Sequence, residues 1–249
     1  MQYKNITARD QTLTHDLPPP PIALLATRFA RAELAALGRR TQRALGFRRP
    51  QDIELAALGV PDSAIAQQAT EIARAAEPAY MFNHSVRTYL FGLAIGEHLG
   101  LRADREVLYV ASVLHDLALA PGHDGPESFE LEGARKAHDI ALDAGMDQTR
   151  AALVHEAIAL HTSVGIADKR EPEVALVHFG AGLDVIGFHA EDVSAATRRA
   201  IVEAWPRHAM KEAFAQRLET EVAHKPGCHF RGHARLGFAM KVRQAPFAE

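Results

Sequence analysis

Apolar positions in this chain recur at helical spacing almost throughout, and no stretch alternates apolar and polar residues persuasively enough to predict a strand. From Ile22 to about Leu45, Leu24, Leu25, Phe29, Leu34, Leu37 and Leu45 fall at roughly helical intervals with arginines on other faces, predicting an amphipathic covering helix. Gly46 and Pro50 break it. Asp62 or Ser63 caps the next helix, over roughly 64–76, which ends before Pro78. A third is expected to start at Asn83 or Ser85 and reach about Leu99, with His84, Arg87 or Thr88, Phe91 and Ile95 on one face. Residues 100–104 read as a turn, 105–117 as a helix apolar on its inner side, and 117–126 as a Gly/Pro-rich loop carrying His123 and Asp124. Further helices are expected over 128–142 and 148–161, and from Pro172 through Gly182. Small residues near the end of the last are expected to bring Asp184 against the helix that bears His115 and Asp116. Two more helices, 194–205 and 206–222, break at Pro206, and an irregular tail follows with His224, His229 and His233 at the surface or a pocket rim.

The pattern therefore predicts an all-α helical bundle. Residues 1–48 form an N-terminal arm, ending in Pro18–Pro21, followed by the covering helix; residues 49–249 form the body. With 249 residues and 47% hydrophobic content the chain can bury one substantial core. A net charge of −3 gives no electrostatic argument for nucleic acid or a membrane surface. Cys228 is the single cysteine, which excludes an intrachain disulfide and fits a reducing cytoplasm. No apolar run approaches the ~20 residues of a membrane span, and no signal peptide is apparent. The apolar N-terminal helix is compatible with a homodimer.

Candidate chemistry centres on His115-Asp116, which ends the apolar run Val107–Leu114. An imidazole and a carboxylate are costly there unless something satisfies them, and a divalent cation would do so. His84 and Asp184 are likewise set among apolar residues. Arg87 could reach an anionic substrate or hold a carboxylate. Glu130 or Glu132 is either an acidic residue favoured at a helix start or a general acid/base. His155 and His161 are separated by about 600° of helix rotation, so they face opposite sides. Of the two, His161, next to a turn, is the better site candidate. Walker, GxGxxG, GxSxG and CxxC motifs are absent.

The spaced pattern H…HD…D resembles the HD-domain superfamily of metal-dependent hydrolases. Phe82-Asn83-His84-Ser85-Val86-Arg87, Leu114-His115-Asp116-Leu117, Phe129-Glu130, Ala157–Ser163 and Pro172–Val185 resemble its cyanamide hydratase-like branch. That resemblance implies an all-α HD fold holding one divalent metal, zinc first, iron or manganese otherwise. His84, His115, Asp116 and Asp184 would be the ligands. It implies catalytic roles for Asp116, Glu130 and His161, and a substrate pocket touching Asn83, Arg87, Tyr89 and Phe129, with Phe91 behind. The metal would lower the pKa of a water toward ~7, and hydroxide would attack a small nitrile such as cyanamide, giving urea. A metal-dependent phosphohydrolase acting on a nucleotide or phosphomonoester is the alternative. A two-iron oxygenase recruiting His138, His155 and His178, or a purely structural metal, stand further off.

Overall fold

The structure, a computed structural model, describes residues 20–123, 125–225 and 227–249. The expected arm over 1–20, except Pro20, and Asp124 of the 117–126 loop lie outside them. Among the described residues there are eleven α-helices, four short 3-10 turns and no strand. They are α1 (Ile22–Ala44), α2 (Ala64–Ala76), α3 (Ala79–Leu99), α4 (Arg105–Leu114), α5 (Phe129–Asp143), α6 (Gln148–Leu160), α7 (Pro172–Ile186), α8 (Ala195–Ala204), α9 (Met210–His224), α10 (Arg231–Arg235) and α11 (Phe238–Arg243). No described helix is long and apolar enough to cross a membrane.

Local chemistry accounts for several boundaries. Ser63 accepts from the Ala66 N–H and starts α2, and Asp104 and Asp147 cap α4 and α6 in the same way. Gly100 and Gly187 end α3 and α7 in the left-handed region, at φ 71° and 77°. α3 begins four residues before Asn83 because Pro78 serves as its N-cap, where its missing N–H costs nothing, and Met81 and Phe82 extend the buried face. α4 stops at Leu114 rather than 117, and a 3-10 turn carries Leu117–Leu119.

α3 is the central element, buried on nearly every side from Met81 to Gly96. α7 lies along it, and two glycines make this possible. A Cβ on Gly92 would sit 2.8 Å from the Leu176 carbonyl oxygen, and one on Gly180 would be driven into the Thr88 carbonyl oxygen. The small residues of α7 therefore dock it on α3 rather than on α4, and Asp184 faces α3. Because the obstruction at Gly180 is backbone, Gly180→Ala should destabilise by about 3 kcal/mol, as severe overpacking does. A urea titration showing an unchanged midpoint would contradict this packing.

The second half departs from expectation in two places. α9 starts at Met210, not at 206, because Arg207 is drawn inward onto Asp184 and the backbone turns at His208 and Ala209, whose φ values are 52° and 57°. The supposedly irregular tail contains α10 and α11, and buries Cys228, Phe230, His233 and Val242. The helix α1 lies over this end of the bundle. Arg39 pairs with Glu191 at 2.7 Å, while Phe29 and Ala32 reach a cavity beneath.

Candidate metal centre

His115 and His161 occupy equivalent positions at the carbonyl ends of α4 and α6. Each ring donates from Nδ1 to the carbonyl three residues back in its own last turn, His115 to Ser112 at 2.7 Å and His161 to Ile158 at 2.6 Å. A carbonyl can only accept, so the proton sits on Nδ1 and Nε2 is turned inward as the free position. His84, in the second turn of α3, is fixed similarly. Its Nδ1 lies 2.7 Å from Asp184 Oδ2. Burial lowers the His84 pKa further than Asp184 raises it, leaving a neutral ring with a lone pair on Nε2.

These nitrogens converge on Asp116, which follows α4 in a non-helical turn. Asp116 Oδ2 lies 3.5 Å from His84 Nε2 and 3.3 Å from His115 Nε2, and Asp116 Oδ1 lies 3.8 Å from His161 Nε2. One ligand atom each from His84, His115 and Asp116 falls within a 4.8 Å cluster, and all three residues are buried. Neither His84 Nε2 nor Asp116 Oδ2 has a hydrogen-bond partner. Orphaned acceptors at such depth are expensive, and a divalent cation satisfies both at once. Burial pushes the Asp116 carboxyl up, but His115, His84 and His161 hold it down at about 2, so it stays charged. Burial lowers His115, yet the Asp116 charge raises it overall; a bound cation would take the place of that attracted proton.

Asp184, expected from the sequence as a fourth ligand, is placed behind these atoms, outside the 4.8 Å cluster, with its oxygens engaged by His84 and two arginines. Its Oδ1 accepts from Arg87 Nε at 2.9 Å and Arg207 Nη1 at 2.6 Å, and its Oδ2 accepts from Arg87 Nη2 at 2.8 Å. Burial opposes its charge, but the two guanidiniums hold its carboxyl far below the usual range. A carboxylate so occupied orients His84 and fixes its tautomer, the common carboxylate–histidine–metal arrangement.

The floor of this cluster opens into a cavity lined by His161, Thr162, Phe129 and the three clustered residues, among others. Burial lowers the His161 pKa to about 3, with the His115 charge adding to it, so His161 presents an unprotonated Nε2. Glu130 lies behind the cavity wall rather than in it, and accepts from the Thr162 hydroxyl at 2.9 Å. Its Oε2 is unpartnered, and burial pushes its carboxyl up to about 7 from an ordinary 4.5. A folded-state pKa raised in this way makes a contribution to stability that is full below about 4.5 and lost as the pH rises through about 7. Glu130→Gln should remove that decline, on the order of 3 kcal/mol between pH 4.5 and 8. Parallel stability curves for wild type and variant across that interval would contradict the buried placement.

Other sequence candidates fall elsewhere. Asn83 donates to the Pro206 carbonyl at 2.8 Å, outside the cavity. Arg87 is committed to Asp184 and to the Trp205 and Pro206 carbonyls, so it is not available to an anionic substrate. Tyr89, five residues after His84, is turned about 140° from it on the helix. Its hydroxyl donates to the Gly59 carbonyl at 3.0 Å, and its ring packs on Tyr109. Phe91 packs against Phe247. Only Phe129 of these aromatic candidates lines the cavity, 5.5 Å from the His161 ring. His138 and His155 pack on each other, and neither lines the cavity. Sequence reasoning missed Arg207, Thr162 and the cavity-wall role of His178, and of the surface and pocket-rim alternatives it left for His233 the structure shows a buried residue of the cavity wall. The last sits in a Gly-rich stretch that reads as loop.

Comparison with known proteins agrees with this geometry. A family model described as HD domain matches residues 81–202, which contain the three clustered residues, Glu130, His161 and Asp184. The chain is similar to two curated proteins of Saccharomyces cerevisiae, cyanamide hydratase DDI2 and cyanamide hydratase DDI3. Each is 29% identical over 174 residues, covering 68% of this chain and 77% of the relative.

Proposed function

Because the chain belongs to the HD-domain superfamily, in its cyanamide hydratase-like branch, we propose that it adds water to the nitrile carbon of a cyanamide, forming a urea. The observation that carries the reading is the convergence of His84 Nε2, His115 Nε2 and Asp116 Oδ2, two of them unpartnered, on the floor of a cavity. Those three would hold the metal, with His161 Nε2 beside them and Asp184 behind. When bound, a divalent cation acidifies a coordinated water toward a pKa of about 7.

The remaining work falls to side chains of this chain. His161, neutral and pinned through Nδ1, would accept a hydrogen bond from the attacking water or the substrate and hold it in line. Thr162 spans the wall between cavity and Glu130, so its hydroxyl can pass a proton to the carboxylate and retrieve it. A carboxyl with a pKa of about 7 is well matched to that exchange at neutral pH.

The phosphohydrolase alternative needs cations around a phosphate. Among the described residues no lysine or arginine lines the cavity, and the charged side chains that do are Glu33 and Asp116. Such a lining favours a neutral substrate. Metal-loaded protein should release urea from cyanamide and no phosphate from a panel of nucleotides. Phosphate release without urea would reverse the assignment.

A further inference from the structure

The cavity is larger and more apolar than cyanamide requires. Its volume is ≈ 80 Å³, room for about six waters at roughly 10–15 Å³ each. Cyanamide has only an N–C–N skeleton. Above the His84–His115–Asp116 floor, the walls are formed by Phe29, Phe129, Phe188, Phe214, Phe230 and Phe238. These come from six separate segments of the chain, so the chamber is a product of the whole fold. An apolar chamber of this kind around so small and polar a substrate would contribute little to its binding. Apolar walls stabilise a ligand in proportion to the apolar surface it buries there.

The polar atoms of the wall are equally selective. His178 donates from Nδ1 to the His161 carbonyl at 2.6 Å, and its lowered pKa, due to burial, keeps it neutral, so Nε2 is an acceptor. His233 donates from Nε2 to the Thr162 carbonyl at 3.0 Å, and its Nδ1 is buried without a partner. Both rings line the cavity. The Thr162 hydroxyl proton is engaged by Glu130. The wall thus offers acceptors and asks its ligand for an N–H.

We propose that the cavity takes a monosubstituted cyanamide, R–NH–C≡N, in which R is aryl or branched alkyl, with R among the phenylalanines and the N–H given to His178. This rests on the hydratase reading for its chemistry. Water oxygen bonds to the nitrile carbon as one C–N π bond breaks and one water proton passes to the nitrile nitrogen, giving an isourea. The second water proton then moves from oxygen to the same nitrogen as the remaining C–N π bond is exchanged for the C=O π bond. The product is R–NH–C(=O)–NH2, with no other reactant consumed.

Cyanamide, phenylcyanamide and N-methyl-N-phenylcyanamide test it, by calorimetric titration and by kcat/KM on the metal-loaded protein. Phenylcyanamide should bind at least ~10-fold tighter than cyanamide, as expected for one buried ring, and should be the better substrate by kcat/KM. N-methylation should cancel about tenfold of that affinity, the worth of one buried hydrogen bond, and His178→Phe should lose the distinction between the two aryl compounds. Ala32→Trp, which adds bulk to the chamber from α1, should lower the phenylcyanamide-to-cyanamide ratio by about tenfold. Tight phenylcyanamide binding without any urea product would support the chamber and overturn the hydratase reading. Cyanamide hydration with no binding of phenylcyanamide would overturn the inference and leave the hydratase reading standing.

Discussion

Asp116→Ala is expected to remove both the bound metal and turnover, lowering kcat/KM by on the order of 10³-fold, equivalent to about 4 kcal/mol of barrier. Asp116 is the residue on which the cluster converges: its two oxygens face His84, His115 and His161 at 3.3–3.8 Å. Without it the pocket keeps imidazole nitrogens but no anionic donor to balance a divalent charge. The fold should survive, because the substitution removes a buried charge that has no hydrogen-bond partner on Oδ2 and leaves the helix contacts of α4 intact. Elemental analysis, steady-state rates and a thermal melt on the same sample check all three parts. Retained metal and rate would sink the ligand assignment, and a collapsed melt would make the loss uninformative about ligation, in which case His115→Ala repeats the test.

Asp184→Ala should behave differently, as a failure of folding first. Arg87 and Arg207 have side chains that are fully buried, and both pair with this one carboxylate. Removing it leaves Arg87 with backbone carbonyls and the Met210 sulfur, and Arg207 with the half-buried Glu249 as its remaining carboxylate. Breaking a buried pair in this way costs roughly 3–5 kcal/mol, or about 10 °C in Tm for a chain of this size. Asp184→Asn, which keeps the shape and one acceptor, is the milder probe. With Asp184 one shell behind the metal, the Asn variant should weaken metal affinity by about 10–100-fold through a loosened His84 and not abolish it. Complete loss of metal in Asp184→Asn, matching Asp116→Ala, would return Asp184 to the ligand set.

The sequence carried the helical architecture because its signals are local. Apolar spacing, Ser63, Asp104 and Asp147 caps, Pro172 and the terminal glycines each act within a turn or two of their own position. The metal cluster was legible for a different reason: His84, His115 and Asp116 are polar residues in apolar surroundings, and such residues ask for a partner. What stayed hidden depends on three-dimensional reach. Nothing near Arg207 in sequence points to Asp184, so neither the late start of α9 nor the pairing of Asp184 with two buried arginines could be anticipated. Asn83 and Tyr89 share a motif with His84 but point to other sides of the helix, whereas Arg87 lies on the His84 face and is taken up by Asp184. Glu130 shows the converse case. It belongs to the site region, yet its access to the cavity runs through Thr162, a contact between α5 and the turn after α6.

The most direct test of the central claim is metal analysis coupled to activity on one preparation. The protein as purified, stripped by chelator and reloaded, should hold a single divalent ion per chain, release urea from cyanamide only when loaded, and lose both properties in Asp116→Ala. Full activity in the stripped protein, or a loaded ion retained in the Asp116→Ala variant, would contradict the account.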